Sequence, residues 1–263
     1  FRSLGNDFVI VDIRQGGVAP AAAIITQWAD RKTGIGFDQL IFLMPARSAG
    51  ADIFMDMYNS DGSKVSACGN ASRCVADILM REGEKSECTL ETVAGLLKCY
   101  RADDGRVTVD MGVPGLDWRQ IPLAKDCDTL HLPLDNDPVA VSIGNPHCVF
   151  FLDEAVEDYP VETIGPKIEH DPLFPDRVNV EFINIMDRQT LRMRVWERGA
   201  GETQACGTGA CASVVAAVRR GLVERECRVI LNGGVLDFHW REDDDHILMT
   251  GAVASVFKGT LIS

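Results

Sequence analysis

Two cysteine-glycine motifs stand at matching places in this chain. The first reads YNSDGSKVSACGNASRC from Tyr58 to Cys74, and the second reads WERGAGETQACGTGACA from Trp196 to Ala212. Each begins with an aromatic residue and reaches Ala-Cys-Gly after the same interval, so Cys68 and Cys206 occupy equivalent positions. A helical pattern follows each cysteine, which predicts that both stand at helix N-termini. This pair is the first candidate for chemistry.

A cysteine at a helix N-terminus has an unusual electrostatic setting. The first-turn N–H groups have no partner inside the helix, and together with the helix dipole they favour an anion. We therefore expect a lowered thiol pKa at Cys68 and Cys206, so that a thiolate is accessible near neutral pH. The glycine that follows each cysteine lets the backbone approach a ligand closely. Each motif is predicted to offer a thiol and a cradle of N–H donors for a carboxylate.

Two such thiols that face one ligand could perform acid–base chemistry at carbon. One would remove a proton from the carbon next to a carboxylate, and the other would return a proton to the opposite face. The α-proton of an amino acid is a very weak acid, so fixed dipoles must stabilise the developing negative charge. The two sulfurs would share one proton and titrate as a pair.

Cysteine can also be simply a small buried residue. The repetition of the Cys-Gly motif favours chemistry for Cys68 and Cys206. The other cysteines are predicted to be core or turn residues; they are Cys74, Cys88, Cys99, Cys127, Cys148, Cys211 and Cys227.

An internal duplication accounts for the two motifs. Landmark residues recur at offsets of 138 or 139 positions. The pairs are Gly5 and Gly144, Cys68 and Cys206, Gly83 and Gly221, Cys88 and Cys227, Gly95 and Gly234, and Gly112 and Gly251. Two copies of this length indicate duplicated domains rather than a solenoid.

The elements that must position the cysteines can be predicted from periodicity. Strands are expected over residues 4–13, 37–43 and 53–58, then over 90–100 and 106–111 with a turn at 103–105 between them. Helices are expected after Pro20, ending near Gly34, and after Cys68, ending at Gly83.

The predicted class is α+β, with two pseudo-symmetric mixed α/β domains, each a curved sheet wrapped around a central helix. The N-terminal half is expected over residues 1–113, with 252–263 returning to it, and the C-terminal half over 114–251. A duplicated chain usually places its site in the cleft between the halves.

Composition narrows the possible partners. The chain has 263 residues and a formal net charge of −13, which argues against a nucleic-acid partner because phosphate binding requires clustered Lys and Arg. No apolar run approaches the roughly 20 residues of a membrane span, and we expect no membrane partner. The nine cysteines lack zinc-type C-x2-C spacing, so no metal is expected. Absence of a signal-peptide pattern and the expectation of reduced thiols predict a cytoplasmic protein.

The chain resembles the diaminopimelate epimerase family over nearly its whole length. The resemblance depends on LGNDFV, GIGFDQL, YNSDG, ACGNASRC, GNPHCV, RVNVEF, WERGAGET and ACGTGACA, in the family's order. It implies a cofactor-independent isomerase that interconverts LL- and meso-diaminopimelate by a two-base mechanism, in lysine and peptidoglycan precursor biosynthesis. It also implies the diaminopimelate epimerase-like fold and a homodimer.

The resemblance implies a role for particular residues. Cys68 and Cys206 would be the acid/base thiols, with His147 and Glu197 in supporting catalytic roles. An arginine binds carboxylates through its planar fork, which would suit Arg198. The substrate-binding set would be Asn6, Gln39, Asn59, Gly69, Asn70, Asn145, Asn179, Glu197, Arg198, Gly207 and Thr208.

Two positions depart from the common family pattern. Ala71 stands where the family usually has glycine, and Phe257 stands where many members carry a tyrosine linked to dimer contacts. Ala71 bears on the expected path of the loop after Cys68, and Phe257 bears on the expected dimer contacts.

Several other functions remain open from the residues. A proline-racemase-like or aconitate-isomerase-like enzyme would share the fold. A cysteine hydrolase or acyltransferase would use Cys206 as nucleophile and His147 as base, but it leaves Cys68 unexplained. A binding protein would use the cysteines only as helix caps. A pyridoxal-phosphate racemase is disfavoured because no lysine lies in a comparable motif.

Overall fold

The computed structural model describes residues 1–66 and 68–260. Ala67 of the first cysteine motif and residues 261–263 of the expected returning segment lie outside the described residues. The chain divides into two compact units: unit 1 is Phe1–Val109 with the C-terminal segment from Gly251, and unit 2 is Asp110–Thr250. The first segment of unit 1 thus ends at Val109, whereas the predicted boundary lies after residue 113.

Unit 1 is a mixed sheet with two helices. Its helices are α1 (Ala22–Ala29) and α2 (Gly69–Glu82). Its strands are β1 (Arg2–Ser3), β2 (Asn6–Asp12), β3 (Gln39–Met44), β4 (Ile53–Asn59), β5 (Lys64–Val65), β6 (Glu87–Thr92), β7 (Gly95–Arg101) and β8 (Val107–Asp110). The strand order is β1-β2-β3-β4-β6-β7-β8, and β5 pairs with β4. The β2–β3 and β4–β6 pairs are parallel, and the other pairs within unit 1 are antiparallel.

Unit 2 repeats this plan. Its helices are α3 (Val161–Glu169) and α4 (Gly207–Arg219). Its strands are β9 (Val139–Ser142), β10 (Pro146–Phe151), β11 (Asn179–Asp187), β12 (Thr190–Glu197), β13 (Gly201–Thr203), β14 (Glu226–Leu231), β15 (Gly234–Trp240) and β16 (Ile247–Gly251). The strand order is β9-β10-β11-β12-β14-β15-β16, and β13 pairs with β12. The β10–β11 and β12–β14 pairs are parallel, and the other pairs are antiparallel.

The two units therefore share one topology, strand for strand. Each parallel or antiparallel pair in unit 1 has a counterpart of the same kind in unit 2, and α2 corresponds to α4. The predicted internal duplication is confirmed by this identity of pairing. Gly5 and Gly144 illustrate the local reason, because both adopt a left-handed backbone, at φ 82° and 83°, immediately before an equivalent asparagine.

Each unit encloses one helix. Residues 70–77 of α2 are all buried, and so are residues 209–217 of α4. Consecutive burial means that protein covers every side of the helix, rather than one stripe. Strands β1, β2, β6 and β7 contact α2, and strands on both sides of β11 contact α4. Small residues such as Ala210, Ala212 and Ala216 let those strands approach α4 closely.

Two predicted elements need correction. The expected strand over 90–100 is wrong, because a turn at residues 93–94 divides it into β6 and β7. Thr92 stabilises that turn by accepting the Ala94 N–H at 3.2 Å and donating to the Gly95 carbonyl at 3.0 Å. Helix α1 ends at Ala29 instead of near Gly34, since the Asp30 carboxylate accepts the N–H groups of residues 32 and 33.

Among the residues that the structure describes, no helix has both the length and the apolar character to cross a membrane.

Candidate active site

Helices α2 and α4 begin directly after the two motif cysteines. Cys68 and Cys206 are N-cap residues with extended backbone, at φ −149° and −121°. Their carbonyl groups accept early helical hydrogen bonds, from the Ser72 N–H at 2.9 Å and the Ala210 N–H at 3.0 Å. The predicted position of both cysteines at helix N-termini is confirmed.

The Cys206 thiol lies in a buried polar setting. Its residue is 6% exposed, and its Sγ accepts a hydrogen bond from the Gly209 N–H at 3.4 Å. The Thr208 hydroxyl lies 3.4 Å from the same sulfur. The Glu197 carboxyl lies beside this thiol, and the two groups influence each other's pKa. One sulfur therefore meets a carboxyl, a hydroxyl and a helix N–H.

The pKa of the Cys206 thiol is raised well above its ordinary value. Burial is the largest cause, and the negative charges of Glu197 and Glu181 add to it. The Thr208 hydroxyl and the Gly209 N–H lower this pKa but do not outweigh the other causes. The prediction of a lowered pKa is wrong here, because the sequence reveals the helix N-terminus but not the burial or the adjacent carboxylates. Cys206 is a neutral thiol near pH 7.

Glu197 ends strand β12, where it is held by β13. The Thr203 hydroxyl donates a hydrogen bond to Glu197 Oε1. Burial raises the pKa of Glu197, whereas its hydrogen bonds with Thr203 and Cys206 lower it. A carboxyl group with a raised pKa, in contact with a thiol, is suited to exchange a proton with that thiol.

His147 lies on β10 behind the helix start and has no exposed surface. Its Nδ1 is 2.7 Å from Glu181 Oε1, and its Nε2 is 3.0 Å from Asn145 Oδ1. Asn145 Nδ2 then donates to Thr208 Oγ1 at 3.3 Å. His147 thus reaches the surroundings of Cys206 through Asn145 and Thr208, and neither ring nitrogen is bonded to the sulfur.

Asn179 and Arg198 are tied together at the neighbouring strand ends. Asn179 Nδ2 donates to the Pro146 carbonyl at 2.9 Å, and Asn179 Oδ1 accepts the Arg198 backbone N–H at 3.0 Å. The Arg198 side chain is exposed, and its Nη1 donates to the Asp176 carbonyl at 3.0 Å. A guanidinium has five N–H donors, so Arg198 retains donors for a carboxylate.

Unit 1 holds a related amide network. Asn70 Nδ2 donates to Asn6 Oδ1 at 3.2 Å. Asn70 Oδ1 accepts from Arg73 Nη2 at 2.7 Å, and the same nitrogen donates to Ser3 Oγ at 2.9 Å. Arg73 is fully buried in α2. Since a guanidinium can only donate, it fixes the orientation of the Asn70 amide.

A second amide pair joins the adjacent strands of unit 1. Gln39 and Asn59 stand directly opposite each other on β3 and β4, and Gln39 Nε2 donates to Asn59 Oδ1 at 3.1 Å. Asn59 Nδ2 donates to Ser63 Oγ at 3.1 Å. Gln39 Oε1 is buried and accepts no hydrogen bond from the described residues. It is an acceptor suited to a ligand N–H group.

The candidate residues of the two units are topological equivalents. Phe8 pairs with Gln39 in unit 1 as His147 pairs with Asn179 in unit 2. The equivalent pairs of candidates are Asn6 and Asn145, Gln39 and Asn179, Asn59 and Glu197, Cys68 and Cys206, Gly69 and Gly207, and Asn70 and Thr208. Each unit therefore carries one half-set of candidates around one cysteine.

The contacts of His147 decide against the hydrolase alternative. A nucleophilic cysteine needs a base within hydrogen-bond reach. Both ring nitrogens of His147 hydrogen-bond to Glu181 and Asn145, and the titratable group beside Cys206 is Glu197. The geometry favours proton exchange between a thiol and a carboxyl.

Residues missed from the sequence include Arg73, Glu181 and Thr203. Glu181 had a usable signal, because it lies between Val180 and Phe182, two positions after Asn179 and on the same face of the strand. Arg73 belongs to the ACGNASRC motif, within a helix that is buried on every side. Thr203 carries no signal of its own, since its role depends on the pairing of β12 with β13.

Comparison with known proteins gives one consistent family. The sequence model of the family "Diaminopimelate epimerase" matches residues 2–116 and 139–256. A protein named diaminopimelate epimerase from Gluconobacter oxydans is 52% identical over 98% of this chain and 95% of its own length. Proteins of the same name from Rhodospirillum centenum and Caulobacter vibrioides are 49% and 48% identical over 98% of this chain and over 89% and 94% of their own lengths.

Solved structures agree on the fold. A predicted epimerase from Pseudomonas aeruginosa aligns over 98% of this chain and 94% of its own, with a TM-score of 0.69 at 17% identity. A hydroxyproline epimerase from Agrobacterium vitis aligns over 95% of this chain and 86% of its own, with a TM-score of 0.65 at 16% identity. The predicted α+β fold of two duplicated domains is confirmed.

Proposed function

Because this chain belongs to the diaminopimelate epimerase family of isomerases, we propose that it interconverts LL- and meso-diaminopimelate without a cofactor, with Cys68 and Cys206 as the two acid/base thiols. This reaction serves the synthesis of lysine and of peptidoglycan precursors. The observation that carries the proposal is the repeated half-set, in which a cysteine caps the same helix in each unit beside polar side chains at equivalent positions.

The proposed step is a proton transfer at carbon. A thiolate takes the α-hydrogen as a proton, the Cα–H bond breaks, and its electron pair remains on the α-carbon and the adjacent carboxylate. The second thiol then gives its proton to the other face of the carbon, which inverts the centre and leaves that sulfur as the thiolate. Atoms and charge balance without an oxidant or a co-reactant.

The helix N-termini supply the stabilisation that this step requires. The α-carboxylate gains charge as the proton leaves, and first-turn N–H groups beside Gly69, Asn70, Gly207 and Thr208 would hold it. Fixed donors in a buried site are worth more than the same donors in water. The raised pKa of Cys206 supports a resting state in which this sulfur carries the shared proton.

The remaining polar groups would grip the ends of the substrate, each of which has an ammonium and a carboxylate. Arg198 would bind a carboxylate, and the free acceptor of Gln39 would take an ammonium N–H. Asn6, Asn59, Asn145, Asn179 and Glu197 complete the proposed substrate-binding set, and His147 supports catalysis through Asn145.

The wider setting is part of the same proposal. We expect a cytoplasmic homodimer that acts on the small molecule alone, with no nucleic-acid or membrane partner. Val256 and Phe257 are 57% and 67% exposed, so this stretch offers apolar surface to a second copy.

Replacement of each cysteine tests the proposal. Cys68→Ala and Cys206→Ala are each expected to abolish detectable epimerisation of LL-diaminopimelate and to leave the fold intact. Matched controls are Cys74→Ala and Cys211→Ala, which remove a buried thiol from the same helices away from their N-termini. Epimerisation that persists in either motif variant at the control level would remove the two-base assignment.

A further inference from the structure

We propose that Glu181 is a positioning residue: acting through His147 and Asn145, it fixes the Thr208 hydroxyl as a hydrogen-bond donor to Cys206 Sγ. The inference rests on the proposed function, because it assigns a supporting group to one of its two thiols. Among the described residues, the Glu181 carboxyl hydrogen-bonds to His147 and makes no hydrogen bond to Cys206 or to the proposed carboxylate cradle.

A continuous chain of hydrogen bonds connects the two residues. Glu181 Oε1 is 2.7 Å from His147 Nδ1, and His147 Nε2 is 3.0 Å from Asn145 Oδ1. Asn145 Nδ2 is 3.3 Å from Thr208 Oγ1, and that oxygen is 3.4 Å from Cys206 Sγ. Strand β11 is thereby linked to the start of helix α4.

The direction of this chain follows from what each group can do. An amide oxygen only accepts, so His147 Nε2 must carry a hydrogen. Asn145 Nδ2 only donates, so it occupies a lone pair of the Thr208 oxygen. The Thr208 hydrogen is then available to point at Cys206 Sγ. A donor at this sulfur stabilises its thiolate whenever Cys206 acts as the base.

Glu181 anchors the His147 ring. Its Oε1 lies 2.7 Å from Nδ1, and whichever of these two atoms carries the hydrogen, the bond keeps Nε2 directed at Asn145 Oδ1. Without a carboxyl here, the buried Nδ1 would lack its partner, and the ring could turn so that Nε2 leaves Asn145.

The fold does not require this polar pair. In unit 1, the strand register places Phe8 where unit 2 has His147, and Ile41 where it has Glu181. Both apolar residues are buried, so an apolar pair fills the same space. Glu181 is fully buried as well, and its Oε2 has no hydrogen-bond partner among the described residues. A buried carboxyl that is only half satisfied costs stability, which points to a role in the site.

The neighbouring helix leaves room for the carboxyl. A Cβ at Gly209 would lie 2.6 Å from Glu181 Oε1. The equivalent residue in unit 1 is Ala71, which is fully buried beside an apolar strand. Helix α4, which lies against the Glu181 carboxyl, therefore has Gly209 at this position, whereas helix α2 has Ala71.

Because unit 2 has the Glu181–His147 pair and unit 1 has an apolar pair at the same register, loss of Glu181 should affect one thiol only. The groups whose charge or hydrogen bonds act on Cys206 are Glu197 from β12, Glu181 from β11, and Thr208 with the Gly209 N–H from α4. Unit 1 has no counterpart of the Glu181–His147 pair at the equivalent register. Loss of Glu181 should slow proton removal by Cys206 and spare proton removal by Cys68.

The test measures release of the α-hydrogen in a single turnover, from LL- and from meso-diaminopimelate labelled with deuterium at that carbon. Cys68→Ala and Cys206→Ala identify the stereoisomer from which each sulfur removes the α-hydrogen. For Glu181→Ile, we expect release from the isomer served by Cys206 to slow by about 10–100-fold, the scale seen for outer-shell partners of metal ligands. Release from the other isomer should change by less than about twofold.

Two further variants distinguish the loss of the Glu181–His147 contact from general damage to the packing. Glu181→Gln keeps a donor for His147 Nδ1 and should retain release within about threefold of the unmodified enzyme. Ile41→Val changes the equivalent buried position of unit 1 and should leave both isomers unaffected. If Glu181→Ile does not fold, His147→Phe combined with Glu181→Ile replaces it, because unit 1 already accommodates that apolar pair.

Equal slowing of both isomers by Glu181→Ile, or no slowing, would overturn the inference. So would a Glu181→Gln enzyme as slow as Glu181→Ile. If the unmodified enzyme releases hydrogen from neither isomer, the proposed function itself fails, and this outcome is distinct from the others.

Discussion

Replacement of Gly209 by alanine should damage the site although it improves the helix. Gly209 lies in the first turn of α4, where its N–H donates to Cys206 Sγ at 3.4 Å. An added Cβ would lie 2.6 Å from Glu181 Oε1 and 3.3 Å from Glu181 Cγ and Cδ. Glu181 cannot withdraw freely, because it is fully buried and bonded to His147 at 2.7 Å.

Two opposing effects set the size of the change. Alanine is favoured over glycine within a helix by about 1 kcal/mol. Overpacking of a buried site costs about 1–3 kcal/mol when neighbours must move. The expected net result is a loss of about 0–2 kcal/mol, or a fall in Tm of up to about 8 °C for a chain of this size. Turnover should fall by about tenfold, because Glu181 must move away from His147.

The assay is thermal unfolding followed by circular dichroism, together with epimerisation of LL-diaminopimelate. The matched control is Ala71→Gly, the reverse change at the equivalent position of unit 1, which should cost about 1 kcal/mol by helix propensity and leave turnover within about twofold. A Gly209→Ala enzyme that is more stable than the unmodified protein and fully active would refute the reasoning, since it would mean that Glu181 is not confined.

Two other predictions follow from the same contacts. Thr203→Val removes a hydrogen bond that lowers the pKa of Glu197, so the pKa of Glu197 should rise further. The acidic limb of the pH–rate profile should therefore move to higher pH. Turnover at pH 7 should fall about fivefold, which corresponds to a loss of roughly 1 kcal/mol. An unmoved profile would contradict this role. Burial raises the pKa of Cys74 and Cys227 to about 12 and that of Cys148 and Cys206 well above the ordinary value. Unfolded thiols ionise above about pH 8.5 whereas these stay protonated in the fold, so stability should decline from about pH 8.5 upward, by at most about 1.4 kcal/mol per pH unit for each thiol. Urea unfolding at pH 8 and pH 10 checks the sign, and equal stability at both would contradict it.

The duplication was visible in the sequence because its landmarks are residues with narrow conformational or chemical roles. Gly5 and Gly144 need a left-handed backbone, and Cys68 and Cys206 cap the same helix. Such positions tolerate few substitutes, so they keep their spacing while the apolar residues around them differ. The main strands and helices of the N-terminal half were predicted from periodicity, and the duplication extended this order to the C-terminal half.

Other features depend on neighbours that are distant in sequence. The turn at residues 93–94 was missed because Val93 favours a strand, although Gly95 directly after it is a local turn signal. The pairing of Gln39 with Asn59 depends on strand register. The raised pKa of Cys206 depends first on burial and then on two carboxylates contributed by β12 and β11. The sequence predicts the effect of the helix N-terminus on the Cys206 pKa, but it does not predict the larger effects of burial and of the two carboxylates.

The most direct test of the central claim is incubation with LL-diaminopimelate in deuterated water, with a reducing agent and no added cofactor. Proton NMR follows the α-hydrogen, and chiral analysis follows the stereoisomers. We predict that the α-proton signal disappears as meso-diaminopimelate carrying solvent deuterium at the inverted centre accumulates. A folded enzyme with reduced thiols that yields neither exchange nor meso product would contradict the account.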